Sequence, residues 1–311
     1  GLTEIGESAF AETCLEKVEF PSSLVSIGEN AFWYTQLRQV VLPEGVRSVG
    51  DYAFANIHSL KSIVLPASLE EIGIMAADPR MTVLHVKEGT PAWRWALENE
   101  AMIRLGAPEE YGEDVPLPAP GTPFADLRRG ADYRWSVDNI RDLYQKGLLK
   151  GVSRDFFGPD ELLTRGMFAA LLYRAEGSPA VEGGTAFADV PEDVYYADAV
   201  RWASETGVMQ GTGEAAFSPL SAVTREQAVA ALHRTVRMPG GQYEATASVW
   251  DMLGGFPDAD AVSGWAREGM AWAVDAGVTF GDGGRLLPQR PVTREEGAAF
   301  LCRLLWVSGY W

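Results

Sequence analysis

The sequence predicts a multidomain protein in which a solenoid of short strands is followed, behind a linker, by a helical module made of three copies of one unit. Three observations support this prediction. A short motif recurs near the start, a proline-rich and acidic stretch follows it, and a longer motif then occurs three times. The length of 311 residues and the apolar content of 47% suit two or three folded domains.

The short motif places apolar residues, proline and glycine at fixed positions. Its first half, Leu-x-x-Val-x-Phe-Pro with close variants, starts at Leu15, Leu37 and Leu60, and its second half is Leu-x-x-Ile-Gly-x-x-Ala-Phe. Alternating apolar residues are typical of a short strand with one buried face, and the proline ends the strand because it has no N–H. One repeat is too small to bury its own apolar side chains, so neighbouring repeats must stack as a leucine-rich-repeat solenoid.

These residues resemble the bacterial BspA-like leucine-rich-repeat family, and the resemblance covers residues 1–105. The last part predicts a cap of mixed strand and helix. We expect a strand at Val83–Val86 and a helix that follows the N-cap Thr90, has Pro91 in its first position and ends near Glu100. The chain begins with the second half of a repeat, which we interpret as the start of a fragment of a longer protein.

Residues 106–123 are rich in proline and acid and show no apolar period, which predicts a semi-rigid linker. The helical module is expected over residues 124–311. Each copy opens with a Phe-x-Asp triplet or a close variant, continues with a helix headed by an aromatic residue, turns at a glycine and starts a second helix at Thr-Arg. The three copies cover about residues 124–180, 187–240 and 256–307.

This order of features resembles the repeats of the S-layer homology family, over about residues 121 to 307. The resemblance implies an all-α pseudo-threefold prism. It also implies that the repeats hold a Gram-positive surface protein to the cell wall by binding an anionic secondary cell-wall polysaccharide, commonly through pyruvylated N-acetylmannosamine. The expected location is therefore extracellular, at the bacterial cell surface.

An arginine in the first position of a helix is unusual, because the positive end of the helix dipole disfavours a cation by about 0.3 to 1 kcal/mol. Three such arginines suggest an anion site. Free backbone N–H groups and a planar guanidinium would converge on one carboxylate, while aromatic side chains and approachable glycine backbone would support a sugar. The predicted glycan-binding residues are Arg165, Arg225, Arg294, Thr164, Thr224, Thr293, Gln227, Trp135, Tyr196, Trp265, Gly151, Gly211, Gly281, Asp126, Asp189 and Asp258.

Each of these assignments has a structural alternative. The arginines could pair with Asp126, Asp189 and Asp258 and hold the repeats together, the aromatic residues could belong to the core, and the glycines could serve as turns. The first copy has Gly166-Met167 where the others have two polar residues, and so lacks the capping box that Thr224 forms with Gln227. The second copy keeps the family pattern best, so the Arg225 site is ranked first.

The net charge of −17 argues against nucleic acid and anionic membranes as partners, because such partners are bound by excess lysine and arginine. No apolar run is long enough to span a bilayer, so no membrane insertion is expected. The histidines and cysteines are scattered and match no catalytic or metal-binding motif, so no catalytic residue, cofactor or metal is predicted. These residues are His58, His85, His233, Cys14 and Cys302.

Two other functions stay open on the sequence alone. The solenoid could bind a protein or host ligand while the helical repeats act only as a scaffold. Alternatively, the chain could be part of a wall-active glycoside hydrolase, which would need two facing carboxylates. With 43 acidic residues, no spacing singles out such a pair.

Overall fold

A computed structural model describes residues 1–74, 76–78, 82–106, 118–129, 132–213, 215–238 and 252–308. Residues 107–117 of the predicted linker lie outside the described residues. The chain divides into two compact units, one formed by Gly1–Val137 with Lys150–Phe157 and the other by Asp138–Leu149 with Gly158–Trp311. This division falls inside the first helical repeat, whereas the sequence repeats place the boundary near residue 124.

The first unit contains two parallel sheets, which are formed by short strands of the solenoid repeats and its cap. Its strands are β1 (Glu4–Ile5), β2 (Ser26–Ile27), β3 (Gln39–Val41), β4 (Ser48–Val49), β5 (Ser62–Val64), β6 (Glu71–Ile72), β7 (Val83–Val86) and β8 (Met102–Leu105). One sheet has the order β1-β2-β4-β6, and the other has the order β3-β5-β7-β8. The solenoid predicted for this part of the chain is therefore confirmed.

The first of these sheets was not expected, because its strands are only two residues long and end directly before the glycine in the second half of the motif. The predicted strand at Val18–Phe20 is absent from the structure, whereas the equivalent Gln39–Val41 forms β3. Val18 and Phe20 are only half-buried, while Val40 and Leu42 are buried. The first copy thus removes less apolar surface from water, and its backbone is held less regularly.

Stacked phenylalanines form the centre of the solenoid. Phe10, Phe32 and Phe54 lie face to face, with successive ring centroids 5.2 and 5.1 Å apart. Close approach of adjacent turns depends on the glycine of each repeat: a Cβ added to Gly50 would lie 2.6 Å from the amide nitrogen of Glu29. The repeat therefore needs glycine because the preceding turn already fills the space above its Cα.

The solenoid ends in a β7–α1–β8 unit, where α1 covers Pro91–Glu98. The Thr90 hydroxyl accepts a hydrogen bond from the Trp93 amide and Pro91 occupies the first turn, as predicted. The helix ends at Glu98, two residues before the predicted end, and Glu100 adopts a left-handed backbone with φ +51°. Strand β8, which pairs in parallel with β7, was not predicted.

The helices beyond the solenoid are α2 (Val137–Gln145), α3 (Arg165–Ala175), α4 (Ala197–Glu205), α5 (Arg225–Val236), α6 (Arg267–Asp275) and α7 (Arg294–Val307). In the second unit α3 packs against α4, and α5 packs against α6. The region predicted as all-α also contains an antiparallel pair, β9 (Arg128–Arg129) with β10 (Asp132–Tyr133).

Helices α3, α5 and α7 all begin at one ring of backbone hydrogen bonds. The Leu163 N–H donates to the Val292 carbonyl, the Val292 N–H to the Val223 carbonyl and the Val223 N–H to the Leu163 carbonyl, each over 2.9 Å. All three residues are buried. Since a threonine N-cap follows each of them directly, the ring fixes where the three helices start.

No helix in the described part of the chain combines the length and apolar character needed to cross a membrane. Both cysteines are free thiols: Cys14 is exposed and Cys302 is buried. Burial raises the pKa of Cys302 to about 11.

Replacing Gly50 by alanine is expected to destabilise the solenoid by about 1–3 kcal/mol, because the new methyl group would overlap the backbone of the preceding turn. Gly6 holds the same position in the first repeat, where an added Cβ would meet nothing within 4 Å. Gly6→Ala is therefore the matched control. Thermal denaturation followed by circular dichroism measures both variants, and equal melting temperatures would contradict this role of Gly50.

Candidate functional site

The threonines predicted to start the second helices are all N-caps. The hydroxyls of Thr164, Thr224 and Thr293 accept the backbone N–H three residues further on. The predicted capping boxes are confirmed as well, because Gln227 and Glu296 reach back to the backbone N–H of their N-cap threonines. These contacts stabilise the helix starts and occupy the third N–H of each helix.

The first two N–H groups of each helix are also occupied. In α3, Arg165 and Gly166 donate to the carbonyls of Ser221 and Pro219, over 2.9 and 2.8 Å. A buried helix start must find partners for its N–H groups, and here a loop of another repeat supplies them. The prediction of free N–H groups as an anion site is therefore wrong. The equivalent bonds join Arg225 to Arg290, Glu226 to Pro288, Arg294 to Glu161 and Glu295 to Pro159.

The guanidinium of Arg165 is buried against the loop of the second repeat. Its Nε donates to the Phe217 carbonyl over 2.9 Å and its Nη2 to the Gln210 carbonyl over 2.6 Å. The guanidinium carbon lies 4.7 Å from the centre of the Phe217 ring. Burial lowers the pKa of Arg165, and Asp189 acts in the opposite direction. Arg165 thus joins the first repeat to the second.

Arg225 plays the same part between the second and third repeats. Its Nε donates to the Leu286 carbonyl and its Nη2 to the Thr279 hydroxyl, each over 2.9 Å, and its Nη1 lies 3.3 Å from Glu296 Oε1. Burial lowers the pKa of Arg225, while Glu296 acts to raise it. Because its charge is already paired and its side chain is buried, the first-ranked Arg225 is poorly placed to grip a ligand carboxylate.

Arg294 differs from the other two arginines because it is partly exposed. Its Nη1 lies 3.7 Å from the sulfur of Met167 in the first repeat. The structural alternative, in which the arginine holds repeats together, therefore describes Arg165 and Arg225. Their main partners are loop carbonyls rather than the aspartates considered from the sequence.

The aspartates of the opening triplets fix those same loops. Asp189 accepts the N–H groups of Phe217 and Ser218 over 2.9 and 2.7 Å, and the bond from Phe217 is the main reason that its pKa lies below the usual value. Phe217 is thus held from both sides, because Asp189 binds its N–H and Arg165 binds its carbonyl. Asp258 accepts from Leu286 and Leu287 in the same way, and Asp126 accepts from Phe157 in the first unit.

The three predicted binding glycines are packed rather than open. A Cβ on Gly211 would lie 2.7 Å from the ring of Phe187 and 2.7 Å from the Ala216 carbonyl. Gly151 faces the ring of Phe124 in the same manner, and Gly281 has a left-handed backbone with φ +75°. The predicted approachable backbone is therefore wrong, since the phenylalanine of the opening triplet covers it, and the alternative of turn glycines applies.

The aromatic residues ahead of the first helices form one exposed set. Trp135 and Trp265 are 57% and 55% exposed, so their assignment to the core does not apply, but Tyr196 is buried. Counting back 12 residues from the glycine turns at Gly147, Gly207 and Gly277 gives Trp135, Tyr195 and Trp265. Tyr195 is 63% exposed and is the true equivalent, so the prediction was displaced by one residue.

The buried Tyr196 explains the altered sequence of the first copy. A Cβ on Gly166 would lie 3.1 Å from the Tyr196 ring. In the second copy the equivalent Glu226 instead accepts hydrogen bonds from the backbone N–H and the hydroxyl of Ser263. The Tyr196 ring thus lies close to position 166, and a side chain there would require the ring to shift.

A second set of arginines supports the glycine turns, a role that the sequence analysis did not assign. The Nη1 groups of Arg174, Arg234 and Arg303 donate to the carbonyl of the residue after each turn glycine, over 3.4, 3.3 and 3.0 Å. Their constant spacing of nine residues from the first arginine was the available signal. Within the described ranges, no group of three or more histidine, cysteine, aspartate or glutamate side chains is arranged to hold a metal ion.

Comparison with known families agrees with this geometry. Residues 1–78 match the BspA type leucine rich repeat region in six copies, and residues 123–169, 186–229 and 255–298 match the S-layer homology domain. The chain carries BspA-type leucine-rich repeats followed by three S-layer homology domains. Both resemblances predicted from the sequence are therefore confirmed, and neither kind of domain is a catalytic one.

Three relatives that match 55–60% of the chain are two surface-layer proteins and an enzyme. The S-layer protein sap of Bacillus anthracis is 26% identical over 189 residues, which are 60% of this chain and 22% of that protein. The surface-layer 125 kDa protein of Lysinibacillus sphaericus is 27% identical over 175 residues, 55% of this chain and 14% of that protein. An endoglucanase of Bacillus sp. (strain KSM-635) is 28% identical over 185 residues, 59% of this chain and 19% of that protein.

The chain thus spans less than a quarter of the length of these relatives. The enzyme matches fall on the S-layer homology region. Since S-layer proteins share that region, the enzyme name says nothing about catalysis by this chain.

Replacing Arg225 by methionine is expected to destabilise the helical repeats by about 2–4 kcal/mol, because the Leu286 carbonyl, the Thr279 hydroxyl and Glu296 each lose a donor. Arg47→Met is the control, since Arg47 forms an exposed ion pair with Glu70 in the solenoid and such pairs contribute little. Urea denaturation measures both. If Arg225→Met costs no more than Arg47→Met, the joining role of Arg225 is refuted.

Asp258→Asn is expected to lower the melting temperature at pH 7 and to have less effect at pH 3. Burial raises the pKa of Asp258, but the N–H groups of Leu286 and Leu287 outweigh it and hold the pKa below its usual value. The ionised carboxylate therefore stabilises the fold above about pH 4, and this contribution is lost as the pH falls further. Melting curves of both proteins at the two pH values test this, and a difference independent of pH would count against it.

Proposed function

We propose that this chain holds a bacterial surface protein to the cell wall, outside the cell, through non-covalent binding of its three S-layer homology domains to a wall polysaccharide. Relatives named as S-layer and surface-layer proteins support this proposal. The leucine-rich repeats are then displayed for a protein or host ligand. In this function the chain is an anchor and not an enzyme.

The exposed aromatic set, Trp135, Tyr195 and Trp265, carries the proposal. Each of the three domains places a large aromatic side chain at the same position and leaves more than half of it in water. Single exposed apolar side chains are common on protein surfaces, but an exposed aromatic residue at one equivalent position in all three domains points to a shared use. The flat face of an aromatic ring suits the apolar face of a sugar, and the polar edge of Tyr or Trp suits its hydroxyls.

We further propose that the three domains form a pseudo-threefold prism. The ring of hydrogen bonds through Leu163, Val223 and Val292 supports this arrangement. The order of the arginine contacts supports it too: Arg165 binds the loop of the second domain and Arg225 that of the third, while the N–H of Arg294 donates to the Glu161 carbonyl of the first. Through these arginine contacts, each domain thus donates hydrogen bonds to one neighbouring domain and accepts hydrogen bonds from the other.

The groove formed by Met167, Tyr195 and Arg294 is our choice for a carboxylate-bearing sugar such as pyruvylated N-acetylmannosamine. Arg294 is partly exposed, unlike Arg165 and Arg225. Partial burial raises the pKa of the Tyr195 phenol, and the nearby cations Arg174 and Arg294 act to lower it, which places a positive field at this ring. A pyruvate carboxylate bound to Arg294 would let the sugar ring lie on Tyr195.

The other predicted site residues support this groove indirectly. Arg165, Arg225 and the aspartates hold the loops, the threonines and Gln227 cap the helices, and the glycines admit the phenylalanine rings. Glu296 lies beside Arg225 in the place that Met167 takes beside Arg294, and its negative charge disfavours an acidic sugar there. The three grooves are therefore chemically different, and one of them combines a partly exposed cation with an aromatic platform.

Arg294→Gln is expected to weaken binding to purified wall polysaccharide by about 10-fold to 100-fold, the loss typical of a charge-assisted hydrogen bond. Tyr195→Ala should weaken binding about 5-fold to 10-fold through loss of stacking. Tyr34→Ala, an exposed tyrosine of the solenoid, is the control and should bind like the wild type. Sedimentation with wall polymer or surface plasmon resonance measures the affinities.

Depyruvylated polymer separates the contribution of Arg294, which binds the carboxylate, from that of Tyr195, which stacks on the sugar ring. It should bind the wild type more weakly and should remove the effect of Arg294→Gln, while the effect of Tyr195→Ala remains. Equal affinity of the wild type for native and depyruvylated polymer would exclude the carboxylate mechanism. Absence of binding to either polymer would exclude wall anchoring by these domains.

A further inference from the structure

A cavity of about 470 Å³ lies in the second unit, away from the three helix starts. Its walls are the turn that ends α4, the outer face of the carboxyl-terminal half of α5 and the entry to α6. Its volume lies within the range of about 300–1,000 Å³ that is usual for small-molecule sites. The lining residues that matter here are Gly207, His233, Arg234, Arg237, Trp265 and Glu268.

One side of the cavity is an ion pair at its rim. Arg237 Nη1 lies 2.6 Å from Glu268 Oε1, and the two side chains are 58% and 65% exposed. An ion pair this exposed adds little to stability. The paired guanidinium and carboxylate are two planar polar groups that lie side by side. The guanidinium can donate hydrogen bonds to hydroxyls of a ligand, and the carboxylate can accept hydrogen bonds from them.

The rest of the lining contains two aromatic side chains and the cation Arg234. Trp265 is 55% exposed where it lines the cavity. His233 packs against Trp272 with ring centroids 5.3 Å apart and the ring planes tilted by 32°, which restricts the orientation of the imidazole. Burial lowers the pKa of His233, so at neutral pH the uncharged ring offers one donor and one acceptor. Arg234 is oriented by its bond to the Val208 carbonyl.

The equivalent place one repeat earlier has different chemistry. Counting 12 residues from the first arginine of the helix gives Arg237 in α5 but Gly177 after α3. Counting eight gives His233 in α5 but Tyr173 in α3, and the Tyr173 hydroxyl donates to the Pro179 carbonyl. The combination of an aromatic wall, an imidazole and a planar ion pair is therefore a feature of the second and third repeats and not of the repeat pattern as such.

We infer that this cavity, which contains the Trp265 member of the exposed aromatic set, is a carbohydrate site distinct from the Arg294 groove and takes a neutral saccharide unit of the wall polymer. The sugar ring packs on Trp265, and two of its hydroxyl or acetamido groups bridge Arg237 and Glu268 while a third meets His233. The Glu268 carboxylate lies beside the cations Arg237 and Arg234 and disfavours an acidic sugar, so this site selects a neutral unit, whereas the Arg294 groove has no such carboxylate in our proposal and selects an acidic one. The inference rests on the proposed function, because both sites bind the same polymer.

The test uses the whole chain and depyruvylated wall polysaccharide, which lacks the carboxylate that Arg294 is proposed to bind. Glu268→Gln and Arg237→Gln should each weaken its binding about 3-fold to 10-fold. Glu70→Gln is the matched control, because Glu70 forms an ion pair of similar exposure with Arg47 in the solenoid, and it should bind like the wild type. Melting temperatures of all variants show that each protein is folded.

A local readout comes from the histidines, of which the chain has three. In a proton–carbon NMR spectrum of the imidazoles, short oligosaccharides from the depyruvylated polymer should shift the signal of His233 and leave His58 and His85 unchanged. His233→Gln identifies the signal. If only the His233 signal shifts and the shift saturates with oligosaccharide concentration, the result supports the site.

The two proposals fail in different ways. If the wild type binds depyruvylated polymer while Glu268→Gln binds equally well and the His233 signal stays in place, this cavity is not a carbohydrate site and wall anchoring stands. If the wild type binds neither native nor depyruvylated polymer, both proposals are overturned.

Discussion

The helical half of this protein depends on the burial of three helix starts against one another. A helix start exposes N–H groups that must be bonded when water is excluded, and here carbonyls of other repeats accept them. The ring of Leu163, Val223 and Val292 closes this exchange, so no single repeat can satisfy its own backbone. The guanidiniums of Arg165 and Arg225 also donate hydrogen bonds to backbone carbonyls of the next repeat. Cooperative folding of the three domains follows directly from this arrangement.

Much of the fold was predictable because repetition makes weak local signals strong. The threonine N-caps, the glycine turns and the stack of Phe10, Phe32 and Phe54 each recur at constant spacing, and each has a local physical cause. The two-residue strands of the first solenoid sheet were missed because Ile-Gly carries no alternating pattern long enough to distinguish a strand from a turn. The unpredicted strand β8 owes its existence to pairing with β7, which only the folded cap provides.

The site was harder to predict because its chemistry is decided by distant residues. Arg165 and Arg225 have the residue type and spacing of anion-binding groups, yet their carbonyl partners lie 52 and 61 residues further along the chain. Sequence alone could not say whether a guanidinium meets a ligand or a loop. The choice of Tyr196 over Tyr195 was a smaller error of the same kind, since two adjacent tyrosines offer no local distinction and the constant distance to the glycine turn resolves them.

The closed ring also bears on how such a module can arise. A ring made of three like segments does not require that the segments share one chain, because three separate copies of a single short ancestral peptide can close it as a trimer. Fusion of the copies then removes the need for identical sequences. In one chain the equivalent positions after the ring differ, as Met167, Gln227 and Glu296 do, while the buried ring-forming residues are all apolar. A single chain can thus combine a threefold backbone closure with three different side chains at one equivalent position.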